Sequence, residues 1–243
     1  MKILVLQVQI GRSCYNSAPY YSKVDEHFEQ VVRPSVVRYC NKHSYDYQLV
    51  TECPKDLNIE WFHDTQFPDR NISSTLIRYN LMHNENYDAV VSLDNDIYVT
   101  EDAEPLPRIV GHMGVHDIVM EDRRKHLKQL DDFMSRIDYS RVGIINGGVQ
   151  MVDKEMGKTI QTHFKNICDN QIPPTSEYYS DQSYINELRS KMPEKSNLLN
   201  DKWNFIVDRH TYDDHEGINF VHYSGRHGRK QFYKDCIKGL IRK

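Results

Sequence analysis

Residues 89–96, Ala89-Val90-Val91-Ser92-Leu93-Asp94-Asn95-Asp96, run from a compact apolar segment straight into a pair of carboxylates. An uncharged run of this length, ended by turn-forming residues, predicts a buried strand. In open α/β sheets, ligands bind just beyond the carboxyl ends of the strands, and that is where the carboxylates fall. In extended backbone the side chains of residues i and i+2 point the same way, so Asp94 and Asp96 are expected on one side, with Asn95 facing elsewhere. Two such groups suit a hard cation, Mn²⁺ or Mg²⁺, which takes carboxylate, water and phosphate oxygens and typically bridges substrate phosphates. Taken alone, the triplet reads equally as a strand-terminating turn with a capping role.

The flanking sequence supplies the rest of an α/β domain. Upstream, an apolar segment over 3–9, a helical pattern over 31–43 and an apolar segment over 47–51 form a β-α-β opening. In the helical piece Val32, Val36, Val37 and Tyr39/Cys40 recur at helical spacing, with Pro34 in an early turn, and 25–29 suggests a separate short helix. Leu76, Ile77, Leu81 and Met82 predict a second helix capped by Ser73 or Ser74 and ending within 84–87. Downstream, strands are expected over 118–120, 142–152 and 220–223, and helices over 154–168 and 181–189. Such alternation predicts a mostly parallel sheet covered on both faces, a three-layer α/β architecture. The irregular stretches 170–179, with Pro173-Pro174, and 200–217 are long enough to serve as acceptor-recognition loops.

Composition sets the outer bounds. At 243 residues, 39% hydrophobic and 27% charged, the chain is expected to form one domain over 1–243. A net charge of -4 gives no general pull toward nucleic acid. The opening apolar run is broken at Gln7 and Gln9 before a signal-peptide core can form. It reads as a strand, and no stretch of about eighteen apolar residues follows. A cytoplasmic protein without a transmembrane segment is therefore expected, and its five scattered cysteines, with no C-x-x-C pair, agree with a reducing compartment and argue against structural zinc. From Arg226 onward the chain is basic, with Phe232, Ile237, Leu240 and Ile241 among Lys234, Lys238, Arg242 and Lys243. This predicts a docked helix with a solvated face and leaves room for peripheral contact with anionic lipid or a charged glycan. The run Arg123-Arg124-Lys125 within 121–128 reads as a surface helix.

A third metal ligand is offered by His222, which closes the apolar segment 218–221 and precedes Ser224-Gly225-Arg226-His227-Gly228-Arg229-Lys230. A neutral imidazole suits Mn²⁺, and glycines let backbone N–H groups approach phosphate oxygens. A buried structural histidine beside a solvated basic loop is the plainer alternative.

Five ordered blocks carry more than any of these alone. They are Ile72-Ser73-Ser74-Thr75-Leu76-Ile77-Arg78; Leu93-Asp94-Asn95-Asp96-Ile97 followed by Pro105-Leu106; Ile145-Asn146-Gly147-Gly148-Val149; Asp181-Gln182-Ser183-Tyr184-Ile185-Asn186; and His222-Tyr223-Ser224-Gly225. In order and spacing, over roughly residues 72–230, the chain resembles glycosyltransferase family 8, the glycogenin and lipopolysaccharide galactosyltransferase group, whose members have the GT-A fold. The resemblance implies a Mn²⁺- or Mg²⁺-dependent transfer of a hexose from a nucleotide-sugar, UDP-linked by default, to a glycan, glycolipid or protein acceptor with retention of configuration.

The resemblance also implies roles for residues. Asp94, Asp96 and His222 would be the metal ligands, and Arg78 would lie near the donor phosphates or sugar. Asn146 and Gly147, with Asp181 and Gln182, would surround the transferred sugar, and Gly225 would contact the diphosphate. Gln182 would lie near the anomeric centre, positioning or stabilising charge, with Asp181 on a sugar hydroxyl. The resemblance also implies Asn95 in the donor-binding set, and a chain whose first part, 1–104, is mainly nucleotide-binding and whose remainder, 105–243, is mainly sugar- and acceptor-binding. The sequence departs from the family twice. Where a lysine usually follows the histidine by six residues this chain has Gly228, so phosphate contact would pass to Lys230 or Arg226. The first strand lacks the usual nucleoside signature, leaving Gln7, Gln9 and Tyr15 as candidates for base and ribose. A metal-dependent phosphohydrolase or nucleotidyltransferase also uses Asp pairs and His, but no second acidic cluster suits a two-metal site. A non-catalytic nucleotide-sugar-binding module remains a third reading.

Overall fold

The computed structural model describes residues 1–9, 28–52, 54–57, 73–117, 141–172, 180–207 and 216–241. The β-α-β opening is β1 (Ile3–Val8), α1 (Arg33–His43) and β2 (Asp46–Val50), with β1 and β2 parallel. Pro34 lies in the first turn of α1, where its missing N–H costs nothing, and a single π-helical turn, Phe28–Val32, leads into it. Next come α2 (Ser73–Asn80), β3 (Ala89–Leu93), β4 (Ile97–Val99), β5 (His112–His116) and β6 (Ile145–Asp153). The chain ends with α3 (Lys154–Asn170), α4 (Ser180–Ser190), β7 (Ser196–Leu199), β8 (Phe205–Ile206), β9 (Phe220–His222) and α5 (Gly225–Lys238).

Six strands form one sheet in the order β2-β1-β3-β6-β5-β7, and β4, β9 and β8 form a second, smaller sheet. In the large sheet β6 runs against its neighbours β3 and β5, while the β1–β2, β1–β3 and β5–β7 pairs are parallel. The sheet is thus mostly parallel, as expected. Side chains alternate across it. Ile3 and Val5 of β1 and Ala89, Val91 and Leu93 of β3 join one core with Val36, Tyr39 and Cys40 of α1 and with Ile97, Trp203 and Phe220. Leu4, Leu6 and Val90 face the other way, into a core with Met156, Ile160 and Phe164 of α3 and Tyr184, Ile185 and Leu188 of α4. A strand covered on both faces is apolar nearly throughout, with Ser92 the one polar position of β3, which is why residues 89–93 carry no alternation. Each such buried aliphatic side chain contributes roughly 1.5–3 kcal/mol.

Two junctions fix the geometry near the site. The Asp153 carboxylate caps α3, accepting from Met156 N at 2.8 Å, and also accepts from Gly111 N at 2.5 Å, which ties the start of β5 to the end of β6. Gly111 has φ +65°, and a Cβ there would lie 2.2 Å from the Lys195 carbonyl oxygen. Because β6 is antiparallel to β3, with Leu93 opposite Val149, its first residues lie at the carboxyl end of β3.

Some expectations need adjustment. The helix after Ser73 ends at Asn80, and the strand expected over 142–152 begins at Ile145. The expected strand 118–120 and the surface helix 121–128 lie outside the described residues, as does most of 25–29. Strand β5, His112-Met113-Gly114-Val115-His116, escaped notice because two histidines and a glycine disguise it. Gly114 is there for packing, since a Cβ would lie 2.8 Å from Ile145 Cδ1. No described helix is long and apolar enough to cross a membrane.

Candidate active site

The carboxylate pair does not sit in extended backbone as expected. After Leu93 the chain turns, with Ile97 N donating to the Asp94 carbonyl at 3.2 Å, and β4 begins at Ile97. Asn95 drives this turn away from the site: its Nδ2 donates to the Val8 carbonyl at 3.0 Å, anchoring the loop to β1. The result is nonetheless the one expected. A ligand atom from each of Asp94, Asp96 and His222 lies within 4.8 Å of the other two, a grouping fit for a metal ion.

Each member is held by a different part of the fold. Asp94 is fixed on its backbone by Gly148 of β6, whose carbonyl accepts from Asp94 N at 2.8 Å, and on its carboxylate by an ion pair with Arg78 Nη1 of α2. Gln7, fully buried on β1, donates Nε2 to the Asp94 carbonyl at 3.2 Å and accepts from Tyr47 OH at 2.9 Å. His222 is placed by the β4–β9 pairing, which sets it opposite Ile97, and Tyr223 N donates to the Asp96 carbonyl at 3.0 Å. Its Nε2 lies 3.2 Å from Asp96 Oδ1. Gly148 makes room for the ring, since a Cβ there would stand 2.4 Å from His222 Cε1.

Charge is concentrated here. Burial pushes the His222 pKa down, but the neighbouring carboxylates of Asp96, Asp94 and Asp117 more than reverse this and raise it above its ordinary value. Burial likewise pushes Asp96 up, and the positive charges of His222 and Arg229 outweigh it, so its pKa is lowered. Among the described side chains of the basic turn, Arg229 is the cation that acts on Asp96, whereas Lys230 is exposed on α5 and the Arg226 side chain lies outside the described residues. Gly225 opens α5 with φ +61° and open space around it. Gly228 is required for packing: a Cβ would come 2.1 Å from the Tyr223 backbone, so no lysine fits at this position in this arrangement.

Beside the ligand group lies a cluster of amides. Asn146 accepts from Gly148 N at 2.8 Å and from Asn204 Nδ2 at 3.0 Å, and its Nδ2 donates to Asp117 Oδ2 at 3.1 Å. Gln182, with its amide oriented by its neighbours, accepts from Gly147 N at 2.8 Å and donates to Asp117 Oδ2 at 3.3 Å. Asn146, Gly147 and Gln182 are thus brought together, as the resemblance implies. Asn204 and Asp117, both almost fully buried, were not singled out in the sequence. A buried carboxylate directly after a strand would have been a signal for Asp117, had β5 been recognised. Asp181 lies at the start of α4, but its side chain is outside the described residues, as is Tyr15. Gln9 is half-buried at the end of β1, its N–H donating to the Val50 carbonyl at 2.8 Å.

No family model matches the chain, and no curated protein sequence is significantly similar to it. Solved structures are. The fold is the GT-A fold of glycosyltransferases, in agreement with the family resemblance. A glycosyltransferase involved in glycosylation of the major capsid of PBCV-1 superposes with a TM-score of 0.60 at 14% identity, over 97% of this chain and 100% of that one. The galactosyltransferase LgtC, solved with donor and acceptor sugar analogs, gives 0.55 at 13% identity over 99% and 96% of the two chains. The bifunctional glycosyltransferase WbbM gives 0.60 at 14% identity over 98% of this chain, which spans 49% of that protein.

Proposed function

We propose that this protein is a metal-dependent glycosyltransferase that moves a hexose from a nucleotide-sugar, UDP-linked by preference, to a hydroxyl of a glycan, glycolipid or protein acceptor with retention. The observation that carries this reading is the convergence of Asp94, Asp96 and His222 at the carboxyl end of β3, on a fold shared with glycosyltransferases. The donor set fits the ion. Two carboxylates and an imidazole suit Mn²⁺ or Mg²⁺, and the glycine at 148 leaves space for the ring that would complete it. When bound, such a cation neutralises the charge that grows on the leaving nucleoside diphosphate.

The chain's own groups do the rest. Arg78 keeps Asp94 oriented, and Arg229 adds positive charge on the same side as Asp96, where a diphosphate would lie. Asn146, Gly147 and Gln182 form the cluster that would hold sugar hydroxyls, with Gln182 a positioning or charge-stabilising group near the anomeric carbon, since an amide is a poor nucleophile. Asp181 is assigned to a sugar hydroxyl beside it. Donors fixed in place before the reaction stabilise the transition state more than the ground state. A two-metal hydrolase is disfavoured because Asp94, Asp96 and His222 are the one such group among the described residues.

A melting screen of nucleotide-sugars with Mn²⁺, Mg²⁺ or chelator tests the reading, because a ligand bound only by the folded state stabilises by mass action. A UDP-sugar is expected to raise the melting temperature in Mn²⁺ and not in chelator, and to release UDP slowly. No shift with any nucleotide-sugar under any metal condition would overturn the proposal. Binding without turnover on any acceptor would leave a sugar-binding module. Retention is checked separately by NMR of the product anomer.

A further inference from the structure

The hydrogen bonds around His222 have a direction, and that direction can be read from groups that have no choice. The backbone N–H of Gly148 can only donate, so the Asn146 atom 2.8 Å from it is the carbonyl oxygen. The ionised Asp117 carboxylate can only accept, so the Asn146 atom 3.1 Å from Oδ2 is the NH₂ group. Two independent anchors thus fix the Asn146 amide. Its oxygen, 3.0 Å from Asn204, then requires Asn204 to present Nδ2 there and Oδ1 on its other side. Asn204 Oδ1 lies 2.9 Å from His222 Nδ1 and can only accept, so Nδ1 of the ring carries the proton. In the neutral ring the lone pair is then on Nε2, the atom that faces Asp96.

From this we propose that Asn204 is a positioning residue that holds His222 as its Nδ1–H tautomer and so presents Nε2 to a divalent cation, and that Asn146 and Asp117 set Asn204 in turn. The relay runs Asp117, Asn146, Asn204, His222, and it links the cluster assigned to the sugar with the group assigned to the metal. A neutral imidazole free to choose would divide its proton between the two nitrogens, and whichever fraction protonates Nε2 cannot ligate. Outer partners that fix a ligating histidine in this way typically change metal affinity by about 10–100-fold when removed. Asn204 is almost fully buried between Trp203 and the small sheet, so water does not substitute readily for its amide. The metal half of this inference rests on the function proposed above; the tautomer half does not.

Long-range proton–nitrogen NMR of histidine-labelled, metal-free protein at alkaline pH, where the ring is neutral, reads the tautomer directly, and Mn²⁺ titration reads affinity. The wild type is expected to show protonated Nδ1 and bare Nε2. Asn204→Leu, which removes the acceptor, is expected to show mixed or Nε2-protonated ring signals and about 10–100-fold weaker Mn²⁺ binding. Asn204→Asp keeps an acceptor for Nδ1–H and is expected to retain the tautomer, which keeps the inference testable even where the leucine variant folds poorly. A leucine variant with an unchanged tautomer and unchanged Mn²⁺ affinity, or an aspartate variant with Nε2 protonated, would overturn it. Failure of the wild type itself to bind Mn²⁺ would overturn the metal half alone, while the ring signals still decide the relay and the melting screen decides the proposed function.

Discussion

Strand β6 touches two buried histidines within a few residues of each other, and they live in opposite electrostatic worlds. His222 packs over Gly148, hydrogen-bonds to Asn204 and is surrounded by Asp94, Asp96 and Asp117, which raise its pKa. His112 of β5 hydrogen-bonds to Gln150 of β6 at 3.1 Å, is fully buried, and has its pKa pushed well below the ordinary value by burial and by the nearby charge of Arg189. Both rings contact a side-chain amide. What separates them is the company. Around His112 the charged partner is Arg189, fully buried on α4, which donates to the carbonyls of His112, Val142 and Asn197 at 3.0, 3.0 and 3.3 Å. That cluster is closed, its guanidinium held by backbone carbonyls, whereas Asp94 and Asp96 beside His222 are half-buried and converge with the ring on one point. A buried charge or histidine therefore does not by itself set the candidate site apart in this fold; the convergence of like charges does.

The comparison breaks most sharply under substitution. Asp94→Ala or Asp96→Ala is expected to reduce transfer by at least about 10²–10³-fold, about 3–4 kcal/mol of transition-state stabilisation, with little change in melting temperature. Assays in Mn²⁺ with the best donor check this, and robust activity in either variant removes the metal assignment. Arg189→Met should do the reverse. It strips two buried carbonyls and a part-buried one of their donor, and each buried unsatisfied group costs about 1–3 kcal/mol, so a loss of roughly 2 kcal/mol or more in denaturant unfolding is expected, with turnover per folded molecule nearly intact. An active-site phenotype without destabilisation would contradict the structural role given to it.

The two ends differed in how far they could be read from sequence. Residues 89–96 were legible because a strand buried on both faces leaves a local apolar signature and the carboxylates follow it directly. His222, Asn146 and Gln182 were reached through ordered blocks. Asn204 and Asp117 were not, because what makes them important is contact across the chain: Asn204 meets a residue eighteen positions later and Asn146 fifty-eight positions earlier. The same holds for Arg189, the last residue of the helix expected over 181–189, whose burial in the core rests on carbonyls from distant parts of the chain. Gln7 was proposed for base or ribose, and its amide is engaged by Asp94 and Tyr47, a placement that braces the metal loop.

A smaller difference lies in pH. His112 stays neutral in the folded state well below pH 6.5, while in the unfolded chain it takes up a proton there. The unfolded state then binds more protons, so stability falls as pH drops below about 6.5, by up to about 1.4 kcal/mol per unit until the folded pKa is reached. His222, with its pKa raised, has the opposite sign: its contribution is full below about 6.5 and is lost as pH rises through its folded value. Urea unfolding between about pH 7 and pH 5 of wild type against His112→Gln isolates the first effect, since the other titrations cancel in the difference. The variant is expected to lose less stability than the wild type over that interval. An identical slope would show that His112 charges in the folded state.

The smallest expected effect concerns the cations themselves, and it tests whether the candidate site uses charge where the Arg189 cluster uses hydrogen bonds. Arg189 acts through directed bonds to carbonyls, so lysine cannot replace its fork. Arg229 acts on Asp96 through its charge, half-buried on the first turns of α5, while Lys230 on the same helix is exposed to solvent. Arg229→Ala is therefore expected to raise KM for the nucleotide-sugar by about tenfold, roughly 1.4 kcal/mol, whereas Lys230→Ala leaves it within about twofold. Arg229→Lys should recover most of the loss, because a point charge suffices for a diphosphate, and the effect should shrink in high salt as the charges are screened. If Lys230→Ala is the costly substitution, the phosphate contact belongs to Lys230, and Gly228 has only displaced the usual lysine by two residues along the chain. If neither matters, the contact from this helix falls to Arg226 or to the Gly225 backbone at its start. The short approach of Gly228 to the Tyr223 backbone would then serve only to seat the helix behind His222.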